Sequence, residues 1–205
     1  MPVVELEVSI PQDLSAIKLH QYQKYLSVAK NVDEGDKNNE FLNLKALEIF
    51  CGLSLKDSYN LPVSAFESVL KQLSACFEEK TDLVQRFKMT GGDGVTAEFG
   101  FIPNLDKMSF GEYIDLESYI TDWDNMHKAM AVMYRPIIAG KRHLYEIEPY
   151  EGTERWADVM KDAPVNVAMG ALVFFYRLGS KLSRYTMNSL LEEQKKKENL
   201  SLIHI

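Results

Sequence analysis

"VSIPQDLSAIKLHQY", Val8 to Tyr22, and "FGFIPNLDKMSFGEY", Phe99 to Tyr113, are the stretches on which the fold turns. In each, alternating apolar residues meet a proline and then give way to helical spacing. A shift of 91 residues carries Val4 onto Val95, Leu6 onto Ala97, Val8 onto Phe99 and Ile10 onto Phe101. The same shift carries Leu14 onto Leu105, Ile17 onto Met108, Leu19 onto Phe110 and Tyr22 onto Tyr113, while the proline slips by one position. Two explanations compete. One is a tandem duplication of a strand-turn-helix unit, giving modules 1–80 and 81–198 inside a single domain spanning 1–205. The other is a pair of unrelated amphipathic segments that obey the same patterning rules.

Working outward, Val4, Leu6, Val8 and Ile10 alternate with Glu5, Glu7 and Ser9, which predicts a half-buried strand ended by Pro11. Helical spacing predicts helices from Leu14, across Glu40–Cys51 with Gly52 as the stop, and from Pro62 with Val63, Phe66, Val69, Leu70, Leu73 and Phe77 on one face. "LVQRFKM" and "VTAEFGF" flank Gly91–Gly94 and predict a hairpin that forms one small antiparallel sheet with the first strand. A short helix is expected from Ser109 and another across "DWDNMHKAMAVMY", then a strand in "HLYEIEP" and a helix over "ERWADVM". A long helix opens at Pro164, where proline costs no helical hydrogen bond. The expected class is α+β, mainly helical, with a small antiparallel sheet.

The chain has 205 residues, 46% of them hydrophobic, which is enough for a real core. A formal charge of -7 argues against a nucleic-acid surface, which needs clustered Lys and Arg. The start has no signal-peptide character, and the longest apolar run, Val167–Tyr176, is about half a membrane span. A soluble intracellular protein is expected. Cys51 and Cys76 sit in apolar helical runs without CxxC spacing and read as reduced, buried thiols. The terminal "LSLIHI", Leu200–Ile205, resembles translated adapter sequence and is expected to be non-native.

Chemistry-bearing motifs are sparse. Asp122, Asp124 and His127 lie within two helical turns, but a metal site needs three or four ligands, so this segment reads as helix capping. His20, His143 and His204 neighbour no nucleophile motif, and "GGDG" lacks the Lys and Ser/Thr of a phosphate loop. No catalytic residue, metal or cofactor is expected. The helix from Pro164 is apolar around most of its circumference, so either the core wraps it or a partner covers part of it. Met169, Phe174, Phe175 and Tyr176 are the candidate partner-binding residues.

"FGFIPNLDKMSFGEYIDLESYI" followed by "DWDNMHKAMAVMYRPI", together with "KALEIFCGLS" and "ALVFFYRLG", resembles a family of tailed-phage proteins encoded among virion and tail-assembly genes. The resemblance covers about three-quarters of the chain and rests on packed apolar positions, without a reactive signature. It implies a tail-assembly-chaperone-like or baseplate-associated factor. Such a protein would bind a phage tail or other virion protein, in the host cytoplasm or incorporated into the virion. The alternatives are a small regulatory binding protein, or a metal-dependent hydrolase in which Asp122, Asp124, His127 and His143 converge.

Overall fold

The computed structural model describes residues 8–32, 39–90, 96–141 and 144–181. The Asp13 carboxylate accepts from the Ser15 N–H at 2.7 Å and caps a single 3-10 turn at Leu14–Ala16. The chain then enters α1 (Leu19–Lys30), where Gln21 Oε1 accepts from the Lys18 N–H at 2.9 Å. Helix α2 (Asn39–Cys51) stops where Gly52 takes a left-handed φ of 69°, a conformation that a Cβ would make costly. Ser54 caps α3 (Leu55–Asn60), and α4 (Val63–Phe77) follows, burying Val69, Leu73 and Cys76 along one face.

Strands β1 (Arg86–Thr90) and β2 (Thr96–Phe101) pair antiparallel with Phe87 opposite Phe99. Next come α5 (Phe110–Tyr119), α6 (Met126–Met133), β3 (Tyr134–Lys141), β4 (Leu144–Ile147) and α7 (Glu154–Met160). A last helix, α8, runs through residues 165–181. The sheet is a meander in the order β1-β2-β3-β4, antiparallel throughout. The fold is thus mainly helical α+β with one small antiparallel sheet, as the periodicity predicts.

Three local expectations need correction. Residues 8–10 lie outside any strand, and the sheet does not include them; Val8 and Ile10 instead pack on a satellite cluster of Leu47, Cys51, Leu53 and Val69. Alternation says that one face is buried but not what buries it, and here α2 and α4 supply the wall. The rest of that strand, 4–7, lies outside the described residues, as do the Gly91–Gly94 turn, His143, His204 and the terminal Leu200–Ile205. The helix expected through Tyr134 ends at Met133, and Tyr134 opens β3. Pro136 has no N–H to give a helix, while the β-branched Ile137 and Ile138 favour an extended chain. Helix α3 is absent from the sequence expectation because its six residues are too short for a periodic signal.

One buried cluster joins both proposed modules: Leu14, Ile17, Phe50 and Leu73 pack with Met126, Met130, Met133 and Val165. Each such side chain contributes about 1.5–3 kcal/mol by leaving water. Tyr134 is fully buried, and its hydroxyl donates to the Val84 carbonyl at 2.7 Å.

The 91-residue echo has a local structural counterpart. Asn104 caps a 3-10 turn at Leu105–Lys107 as Asp13 caps Leu14–Ala16, and α5 starts at Phe110 as α1 starts at Leu19. Half of a capping box recurs in register: Glu112 accepts from the Ser109 N–H as Gln21 accepts from the Lys18 N–H, while only Ser109 also accepts from the N3 N–H, since the Lys18 side chain has no acceptor. The surroundings differ. Leu14, Ile17 and Leu19 are buried, whereas Leu105 and Met108 are half-buried and Phe110 is exposed. The two segments are alike as turns and unlike as packing units.

Candidate protein-interaction surface

Helix α5 has two faces. Its start is fixed by the Ser109 hydroxyl accepting from the Glu112 N–H at 3.2 Å and by Glu112 Oε2 accepting from the Ser109 N–H at 2.7 Å. Glu112 and Leu116 point inward and are buried. On the outward side, Phe110, Tyr113 and Ile114, at i, i+3 and i+4, are 78%, 52% and 41% exposed. Three large apolar side chains in a row form a patch rather than scattered exposure. Ile138 of β3 and Leu144 of β4 are exposed as well.

Beside the start of α5 lies a groove of about 580 Å³, walled by Met108, Ser109 and Glu112 on one side and by Ile138, Tyr145 and Tyr150 on the other. Its floor holds a buried ion pair: Arg135 Nη2 donates to Glu112 Oε1 at 2.6 Å, with both side chains less than a tenth exposed. Arg135 also donates to the carbonyls of Glu148 at 2.7 Å and Val132 at 3.1 Å, and its guanidinium lies 5.3 Å from the Tyr150 ring centroid. Burial alone would push the Glu112 carboxyl up, but the hydrogen bonds from Ser109 and the charge of Arg135 outweigh it and hold the carboxyl below its usual range. The Tyr150 hydroxyl donates to the Asp115 carboxylate, and burial with that bond pushes its pKa up. These polar groups bond one another.

The residues singled out from sequence fall elsewhere. Met169, Phe174 and Phe175 pack against the main core, Phe101 standing 5.5 Å from Phe174 and 5.9 Å from Phe175 between ring centroids. Tyr176 alone of the four is exposed, at 77%. The first half of α8 is wrapped by the domain itself: Val165, Val167, Ala168 and Ala171 are buried.

The Asp122–His127 segment caps a turn and ties helices together. The Asp122 carboxylate accepts from the Asp124 N–H at 3.0 Å, capping the 3-10 turn Trp123–Asn125, and Asp124 pairs with Lys30 at 2.8 Å. The Gln23 amide donates to the Trp123 carbonyl at 2.7 Å and lies 3.1 Å from His127 Nδ1, tying α1 to the start of α6. Burial, with Lys161 and Lys128 nearby, holds His127 below its usual pKa. Among the described residues, no three His, Cys, Asp or Glu side chains gather as a metal site. Cys51 and Cys76 are free, buried thiols, and burial pushes both pKa values up. No described helix is long and apolar enough to cross a membrane.

Glu112 and Arg135 went unmarked in the sequence because their partnership spans 23 positions. The signal that reveals half of it is the spacing Ser109-x-x-Glu112, a capping box. Compared with known proteins, the chain matches no family, no curated protein and no solved structure.

Proposed function

We propose that this chain is a non-enzymatic phage assembly or structural protein that works by binding another protein, and that the contact surface is the outward face of α5. The exposed row Phe110, Tyr113 and Ile114 carries the reading. A monomer gains nothing from leaving three large apolar side chains in water on one helix face, whereas a partner that covers them gains their transfer free energy. The resemblance to tailed-phage proteins supports the setting, in which the partner is a tail or other virion protein. The groove beside α5, with polar groups already bonded to one another, supports binding over turnover.

The test is co-expression of tagged chain with tail and other virion proteins of tailed phages, followed by capture. Phe110→Glu with Ile114→Glu is expected to abolish capture while leaving the circular dichroism spectrum and Tm unchanged. Tyr176→Glu is expected to leave capture intact. Capture that survives the α5 double variant overturns this surface.

A further inference from the structure

We infer that the start of α5 is a docking site for an extended segment of the partner protein, bound by antiparallel backbone pairing across Ser109. This inference rests on the protein-binding reading above and names its mode. The observation is a difference between two segments that share one local turn, here the first and second copy of that turn. In the first copy, residues 17–20 are covered by the chain's own segment 161–165: the Leu19 N–H donates to the Ala163 carbonyl at 2.8 Å, and the Val165 N–H donates to the Ile17 carbonyl at 2.8 Å. Those two bonds make an isolated antiparallel bridge between Lys18 and Pro164. Under this cover Leu19 is fully buried.

The second copy has a similar backbone turn, and among the described residues no segment pairs with it as 161–165 pairs with the first. Met108, Ser109 and Phe110 stand in register with Ile17, Lys18 and Leu19, after matching 3-10 turns and at helix starts where the side chain three positions on, Glu112 or Gln21, accepts from the Ser109 or Lys18 N–H. Among the described residues, no group bonds the Phe110 N–H or the Met108 carbonyl. Phe110, in place of the buried Leu19, is mostly exposed, and the open groove of about 580 Å³ runs along Met108 and Ser109. Gly111 replaces His20, and a Cβ there would have nothing nearer than the Tyr150 ring at 3.9 Å, so the approach is clear.

The first copy also states what fits. The covering segment is small residue, proline, β-branched residue: Ala163 supplies the carbonyl, Val165 the N–H, and Pro164 between them needs no donor. A partner segment of that chemistry would bond Phe110 and Met108 and lay its apolar side chain on Phe110. Ser109 replaces Lys18, whose ammonium pairs with Asp162 at 2.8 Å, so an acidic residue is not demanded. A second copy of this chain cannot lend its own segment, because Ala163 and Val165 are fully buried in their own molecule.

The probe is the end-blocked hexapeptide KDAPVN, the sequence of residues 161–166, titrated into the 15N-labelled full chain. The expected result is shifts of the amides from Met108 to Ile114. N-methylation at the peptide's valine, which removes the donor, weakens binding at least about tenfold. Phe110→Ala keeps the backbone donor and weakens binding a few-fold. Phe110→Pro removes the donor at a first helical position, which tolerates proline, and abolishes binding. If Phe110→Pro fails to fold, the N-methyl peptide on the unchanged chain decides. Absence of shifts at 108–114, or shifts indifferent to N-methylation, overturns the inference. So do shifts that follow chain concentration without peptide, which assign the face to a second copy. A virion protein whose capture needs Ile114 but survives Phe110→Pro keeps the protein-binding reading and sinks this one.

Discussion

At the residue scale, the buried Glu112–Arg135 pair is costly to break from one side. Truncating Arg135 to Ala leaves a buried carboxylate facing no charge, and the expected loss is about 3–5 kcal/mol by chemical denaturation. Replacing both partners, Glu112→Gln with Arg135→Met, is expected to recover much of that loss, because two desolvated charges disappear together. Acid acts through two groups. The folded pKa of His127 lies below its ordinary 6.5, so its contribution to stability is complete above that value and is lost as pH falls through the depressed folded value. Glu112 behaves likewise below its ordinary 4.5. Urea midpoints are therefore expected to fall in two steps on acidification, with His127→Gln removing the upper one. The cap at Asp122 was legible from sequence, since it does what a short acidic side chain does at a helix start, whereas Asp124 pairs with Lys30 instead. The ion pair was not, because a salt bridge across 23 positions has no period to betray it.

At the element scale, two glycines of α8 separate helix propensity from packing. A Cβ at Gly170 would stand 2.2 Å from the Asp82 carbonyl oxygen, a backbone atom, whereas nothing lies within 4 Å of one at Gly179. Alanine gains about 1 kcal/mol over glycine in a helix interior. Gly179→Ala is expected to raise Tm on that account, while Gly170→Ala is expected to destabilise by about 1–3 kcal/mol because the displaced backbone outweighs the propensity. Thermal melts of the pair give opposite signs if this balance is right. Helices with an uninterrupted apolar stripe, such as α4 and α7, were legible because one period ran their whole length. Strand β3 was not, since "AVMYRPII" is apolar on both sides of the Met133–Tyr134 junction and periodicity alone cannot place the change. The packing of Phe174 and Phe175 against the core was open for a related reason: an all-round apolar helix says that it is covered and is silent about by what.

At the scale of the whole molecule, the sheet is built from neighbours in sequence, while the helical layer closes over a long span. The strands follow one another as a meander, so β1 to β4 can pair as soon as they exist. The start of α1 waits: Leu19 and His20 donate to the Ala163 and Lys161 carbonyls, 144 and 141 positions onward. Ala163→Asp, which places a charge against buried Leu19, is expected to destabilise the fold by several kcal/mol, read as a lowered denaturation midpoint without change in the sheet's amide dispersion pattern at low denaturant. The same closure sets a clock on the ribosome. Until the 161–165 segment has cleared the exit tunnel, a nascent chain shows two bare helix starts of similar design, one at Leu19 and one at Phe110, and among the described residues only the first is later shut by the chain itself. Limited proteolysis of arrested nascent chains should find the cleavage near Leu19 vanishing once that segment emerges, and sensitivity near Phe110 persisting after it.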